Sequence, residues 1–134
     1  MTILNKFLYP AIFQSEDEGY SVWIPDIQGC ISQGDTFEEA RENIKDALSV
    51  FVLEAKKENK DLPKASRAEI IQVVDGQFVV IIELDIVDYL KKKNGGFEEK
   101  TLLIPKWLSN LAEAENIELS LILQKALRET LNFQ

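Results

Sequence analysis

Two kinds of side chain in this 134-residue sequence could take part in bond-breaking chemistry. The first is a scatter of carboxylates, Asp26, Asp35, Asp75, Glu83 and Asp85, which on a suitable sheet could hold divalent cations for phosphodiester hydrolysis. The second is the thiol of Cys30. Neither has the company it needs. The carboxylates fall in turns or flank a strand end, and their spacing brings no set together. Cys30 has no histidine to activate it, because the chain contains none. The same absence removes Ser-His-Asp triads, histidine zinc sites and histidine pH switches. One cysteine can form neither an internal disulfide nor a CxxC motif, so Cys30 reads as a small buried residue in a reducing cytoplasm. The expectation is a chain with no metal, no cofactor and no enzymatic activity of its own.

What remains is chemistry of recognition. With 15 basic and 23 acidic residues the net charge is -8, which argues against general nucleic-acid binding. The average hides an asymmetry. Residues 1–90 carry 8 basic and 17 acidic side chains; residues 91–134 carry 7 basic and 6 acidic ones. In the first part, the acidic run Glu16-Asp17-Glu18 is a solvated loop that could steer a basic partner. Trp23, in the outward phase of its strand, is a candidate interface anchor, with Asp26 beside it. The switch of sign falls at Lys91-Lys92-Lys93-Asn94-Gly95-Gly96, which reads as a linker over 91–97. No apolar run approaches the ~18 residues of a membrane span, and the start of the chain has no signal-peptide layout. A cytoplasmic protein with no membrane partner is expected.

The elements that must position these residues follow from periodicity. Residues 4–13 read as an extended apolar strand, and Pro10 suits an edge or a bulge rather than a central position. Residues 20–24 alternate as a half-buried strand, and 30–33 form a third. Thr36-Phe37-Glu38-Glu39 is a capping box. It opens a helix over about 36–58, whose stripe is Phe37, Ala40, Ile44, Ala47, Leu48, Phe51 and Ala55. Residues 66–69 start a short helical turn or 70–74 form a strand. The continuous apolar run 78–85 reads as a buried fourth strand.

The motifs Tyr9-Pro10-Ala11-Ile12-Phe13, Gly19-Tyr20-Ser21-Val22, Ile24-Pro25-Asp26, Gly29-Cys30 and Gly34-Asp35-Thr36-Phe37-Glu38-Glu39-Ala40 resemble, in this order and spacing, the HicB antitoxin family. The resemblance covers residues 7–58 well and 78–85 loosely. It implies an α+β chain whose residues 1–90 form a partial ribonuclease-H-like βββαβ domain without nuclease activity. It also implies a partner, a small basic HicA-type toxin that cleaves mRNA. Glu16, Asp17, Glu18, Trp23 and Asp26 are the candidate toxin-binding residues.

Residues 98–134 read as strand, helix, helix. Pro105 suits a first helical turn, Asn116 a helix stop, and a second helix runs over about 119–131. At about 37 residues the piece is too short to fold alone, so it should dimerise. Lys100-Thr101-Leu102-Leu103-Ile104-Pro105-Lys106-Trp107-Leu108 and the helix pair resemble a ribbon-helix-helix domain, an obligate dimer whose paired strands enter the DNA major groove. Alternation then turns Leu102 and Ile104 into the dimer core, with Trp107, Leu108, Leu111, Ile122, Leu123, Ala126 and Leu127. Glu99, Lys100, Thr101, Leu103, Lys106 and Ser120 become the DNA-facing set. Glu99, Leu103 and Glu118 depart from the usual polar or basic pattern of such a domain. The overall expectation is a homodimeric antitoxin that covers a HicA-type toxin, forms a higher oligomer with it, and represses its own operon by binding operator DNA. The alternative is a dimeric interaction protein that neutralises a partner without binding DNA.

Overall fold

A computed structural model describes residues 5–132. The chain divides into two units, Asn5–Asn94 and a second one that begins at Gly95. The first is mixed α and β. Its elements in order are β1 (Lys6–Ser15), β2 (Tyr20–Trp23), β3 (Ile31–Gly34), α1 (Phe37–Lys57), a 3-10 turn (Ala68–Ile70), β4 (Gln77–Asp85) and α2 (Ile86–Lys93). The four strands form one antiparallel sheet in the order β3-β2-β1-β4.

Alternation along the strands builds the core. Tyr9, Ala11 and Phe13 of β1, Val22 of β2, and Ile82 and Leu84 of β4 are buried together with the α1 stripe Ala40, Ile44, Leu48 and Val52. Each large side chain so buried contributes roughly 1.5–3 kcal/mol. The threonine half of the capping box forms: Glu39 N–H donates to the Thr36 hydroxyl at 3.1 Å. Cys30 lies in the core with no exposure, and burial pushes its thiol up to about 11.

Three expectations need correction. Pro10 stands in a central strand, not at an edge. The physical reason is local. Ser15 N–H donates to Gly76 and Asn5 accepts from Ile86 N–H, so odd-numbered residues of β1 turn their backbone toward β4 and even-numbered ones away from it. β2 pairs with β1 only from Ile12 onward, so the missing Pro10 donor points where no strand waits. β4 is not buried throughout. Only Ile82 and Leu84 are buried, while Ile81 is 45% and Phe78 37% exposed; the continuous apolar run is an alternating edge strand whose outward face is also apolar. The lysines of 91–93 are not linker. They form the last turn of α2, where positive charge suits the helix C-terminus. Asp85 caps that helix by accepting from Asp88 N–H at 3.1 Å, and Tyr89 fastens it to α1 by donating to Asp46 at 2.7 Å. Of the two alternatives for 66–74, the short helical turn forms, as the 3-10 turn Ala68–Ile70, and 70–74 make no strand.

The second unit carries α3 (Lys106–Ala114) and α4 (Leu119–Thr130). Asn116 adopts φ +55°, the left-handed stop its residue type allows. Residues 97–105 have no regular secondary structure.

Candidate functional site

The β1–β2 loop, the β3–α1 junction and the turn before β4 all lie at one end of the sheet, because the register sets Ser15 beside Tyr20, Tyr20 beside Gly34, and Gln14 beside Gln77. Each of these connections carries exposed carboxylates: Glu16, Asp17 and Glu18 in the first, Asp35, Glu38 and Glu39 in the second, Asp75 in the third. No lysine or arginine occurs over residues 7–40 or 68–90, so nothing local neutralises them. The loop is held in place. Gly19, at φ +87°, lies so close to the Gly34 carbonyl that a Cβ there would sit 2.3 Å from it. The Glu16 carboxylate accepts from Ser21 Oγ at 2.8 Å and from Gln14 Nε2 at 3.3 Å. Asp17 and Glu18 make no hydrogen bond or ion pair among the described residues, and they point a rigidly based negative charge at solvent. Glu38 and Glu39 sit in the first turn of α1, where the helix dipole favours them.

Beneath this acidic end lies an aromatic cluster. Phe13 stacks on Phe78 with centroids 5.5 Å apart and leans on Phe37 at 4.8 Å, and Tyr20 meets Phe37 and Phe78 edge-on at 6.1 and 6.2 Å. Tyr20 and Phe78 keep part of their surface exposed. The arrangement offers a basic partner long-range attraction over a firm apolar base.

Trp23 and Asp26 are not part of this end. They lie at or beyond the far end of β2, with Trp23 opposite Ile12 and Ile31. Asp26 is a strut. Its carboxylate accepts from Ser66 N–H at 2.8 Å and from Ser66 Oγ at 2.5 Å, which pins the connection between α1 and β4. The Tyr9 hydroxyl donates to the Pro63 carbonyl nearby. Burial first, and the Asp26 charge second, raise the Tyr9 hydroxyl above its ordinary value. The five carboxylates considered for metal chemistry are apart. Asp26 holds Ser66, Asp35 and Asp75 join the acidic end, Glu83 meets Lys6 at 3.8 Å, and Asp85 caps α2. Among the described residues no group of three or more such ligands could hold a metal ion.

The sequence reading found Glu16, Asp17 and Glu18 but missed Asp35, Glu38, Glu39 and Asp75. Their convergence depends on strand register, which a linear reading does not carry. The absence of basic residues over 7–40 and 68–90 was the signal available.

In the second unit no described residue is buried. Leu102 is 59% exposed, Ile104 45%, Trp107 64%, Leu111 57%, Ile122 56% and Leu127 50%, and Leu108, Leu123 and Ala126 are exposed as well. Of the DNA-facing set, Leu103 is 99% exposed, and Glu99, Lys100, Thr101, Lys106 and Ser120 are all exposed. Lys100 lies 3.7 Å from Glu98. Glu118 stands at the α4 N-cap without a side-chain capping bond. No helix among the described residues is long and apolar enough to cross a membrane.

Comparison with known proteins places this geometry. Residues 9–96 match the model of a family described as HicB-like antitoxin of bacterial toxin-antitoxin systems. A 14.9 kDa protein of Haemophilus phage HP1 is 34% identical over 88 residues, covering 63% of this chain and 66% of that protein. Among solved structures, a chain of a toxin-antitoxin complex from Streptococcus pneumoniae superposes with TM-score 0.59 at 24% identity, over 93% of this chain and 99% of that one. Antitoxin HicB of Burkholderia pseudomallei superposes with TM-score 0.54 at 22% identity, over 94% and 97%. At these identities the structural likeness speaks for the fold.

Proposed function

The chain belongs to the HicB-like antitoxin family, and from that premise we propose that it neutralises a small basic HicA-type toxin, an mRNA-cleaving ribonuclease, by covering the toxin's surface. The observation that carries this is the acidic end: seven exposed carboxylates on three connections, with no cation among them. A basic ribonuclease must present cationic groups to bind RNA phosphates, and the same groups are drawn to this end. In this reading Asp26 serves the fold rather than the contact, and the contact set is Glu16, Asp17, Glu18, Asp35, Glu38, Glu39 and Asp75. The sheet-and-helix unit acts as the partial ribonuclease-H-like domain, and it occludes rather than cleaves.

The second unit is proposed to be a ribbon-helix-helix domain that dimerises and represses the protein's own operon. The support is energetic. A piece of this size with no buried residue gains almost nothing from folding alone, whereas a second copy would cover Leu102, Ile104, Trp107 and the α4 stripe. The 97–105 segment gains ladder partners only when two copies lie antiparallel. A second reading keeps the dimer and omits DNA. It rests on Glu99 and Glu118, whose charges repel phosphate, and on Leu103, which offers a base edge no hydrogen bond. A gel shift with upstream DNA at ~50 and ~200 mM salt separates the two, since phosphate-driven binding weakens steeply with salt.

The antitoxin reading itself is tested by co-expression with the basic protein encoded beside this one. Wild-type chain should restore growth. Reversal of Glu16, Asp17 and Glu18 to lysine should slow association by about tenfold or more at low salt. An unchanged on-rate with those reversals would remove the acidic end from the contact.

A further inference from the structure

The joint between the two units is a dipeptide with chemistry of its own. Asn94 is the last residue of the first unit, and Gly95 opens the second. Seven asparagines occur in the chain, and Asn94 alone is followed by glycine; the others precede lysine, isoleucine, leucine or phenylalanine.

The local geometry leaves this pair free to react. Asn94 caps α2, and its own N–H donates to the Leu90 carbonyl at 2.8 Å. Its side chain makes no hydrogen bond among the described residues, and Gly95 N–H has no acceptor among them. Both residues are exposed, as is Gly96. Glycine has no Cβ to shield its nitrogen or to restrict the approach of the preceding side chain. Lys91, Lys92 and Lys93 stand in the turn just before, and positive charge nearby favours an anionic nitrogen. Asn59 and Asn116 also follow helices, yet they differ on both counts. Each precedes a residue with a side chain, and the N–H groups of Lys60 and Ile117 are held by the Ala55 and Ala112 carbonyls at 2.8 and 2.9 Å. Asn43 lies within α1 and its side-chain amide is bound to Gln33.

We propose that Asn94 is a self-modifying site, converted without an enzyme to aspartate and isoaspartate at the joint between the units. The Gly95 nitrogen gives its proton to water and attacks the side-chain carbonyl carbon of Asn94. A carbon–nitrogen bond forms, the bond to the side-chain amide nitrogen breaks, and that nitrogen takes up a proton and leaves as ammonia. Water then opens the cyclic imide. Attack at the side-chain carbonyl gives aspartate, and attack at the main-chain carbonyl gives isoaspartate, through whose side chain the backbone now runs. No electrons are gained or lost. Each product carries one more negative charge than the parent, next to three lysines. The isoaspartyl form also inserts one carbon into the backbone between the units. The joint is thus altered once and irreversibly, while the buried residues of the first unit, from Tyr9 to Ile86, are untouched.

The test is peptide mapping by mass spectrometry on the full chain, held in mildly alkaline buffer and sampled over time. Asn94 should lose its amide at least about tenfold faster than Asn59 or Asn116, whose following nitrogens are shielded by a side chain. Hydroxylamine, which cleaves the cyclic imide, should release a fragment that begins at Gly95. Gly95→Ala should slow the loss at residue 94 by about tenfold or more, because a Cβ then stands beside the attacking nitrogen. The comparison within the wild-type chain needs no variant, and the Gly95 substitution lies at an exposed position away from the core. Loss at Asn94 no faster than at Asn59 and Asn116 overturns the proposal. So does an unchanged rate in Gly95→Ala, or the absence of the Gly95 fragment after hydroxylamine.

Discussion

Gly34→Ala tests how tightly the acidic end is built. A Cβ at this position would lie 2.3 Å from the Ala40 nitrogen and 2.8 Å from both the Ala40 Cα and the Glu39 carbonyl carbon, where ordinary contact begins at 3.4 Å. Relief therefore requires about 1 Å of movement of the first turn of α1 away from β3. That turn is not free to move. Ala40 is fully buried, Glu39 N–H is bound to Thr36, and Asn43 is bound to Gln33. Overpacking of this kind costs about 1–3 kcal/mol, a weakened cap about 1 more, and a lost hydrogen bond about 1 more. A net loss of about 3 kcal/mol in a unit this size lowers Tm by roughly 12–24 °C. Differential scanning calorimetry of the full chain and its variant measures the shift. Because the same turn carries Glu38 and Glu39, the variant should also bind the basic partner more weakly at temperatures where it remains folded. A Tm within a few degrees of wild type would refute the close approach of helix and sheet on which the acidic end depends.

Other consequences are more local. Thr101→Ala should weaken operator binding by about 1–3 kcal/mol in a gel shift and leave toxin binding unchanged; equal operator affinity would favour the reading without DNA. Tyr9→Phe should cost about 0.5–1.5 kcal/mol at neutral pH through the lost bond to the Pro63 carbonyl. The Tyr9 hydroxyl is raised in the fold, so its contribution is complete below 10.0 and is lost as pH rises through the raised value. The stability gap between wild type and Tyr9→Phe should accordingly narrow in alkaline denaturation series, and a widening gap would contradict the assignment. With its thiol pushed up to about 11 and buried, Cys30 should react with a thiol reagent at pH 8 only after unfolding. Rapid labelling of the native chain would show that it is not core.

Much of this was legible where the signal is local. The Thr36 cap, the Ala40, Ile44 and Leu48 stripe of α1 and the Asn116 stop each depend on residues within a turn of one another, and each forms as its spacing predicts; Val52, which the stripe did not include, is buried in place of Ala55. The misreadings share a cause, which is that the deciding partner is distant. Lys91–Lys93 look like a linker until Asp46, far back in the chain, accepts from Tyr89 and fastens the helix they end. Pro10 looks like an edge residue because nothing in its neighbourhood says that β2 pairs only from Ile12. Val79 and Ile81 read as core because outward apolar residues are indistinguishable from inward ones in a string. That Asp26 holds Ser66 could not be read from the sequence, because Ser66 arrives from the other side of α1. The acidic end was half visible for the same reason: one loop supplies Glu16, Asp17 and Glu18, and the fold brings the other four.

The bond from Asn43 to the Gln33 carbonyl also bears on association. A sheet edge with unpaired groups is a template for another chain, and proteins blunt such edges against growth into a fibre. Here the helix supplies part of the guard: its Asn43 amide occupies an outward carbonyl of β3, and α1 lies so close that a Cβ on Gly34 would meet the Ala40 nitrogen at 2.3 Å. Asn43→Ala would return that carbonyl to solvent and make the β3 edge a better template for a further strand.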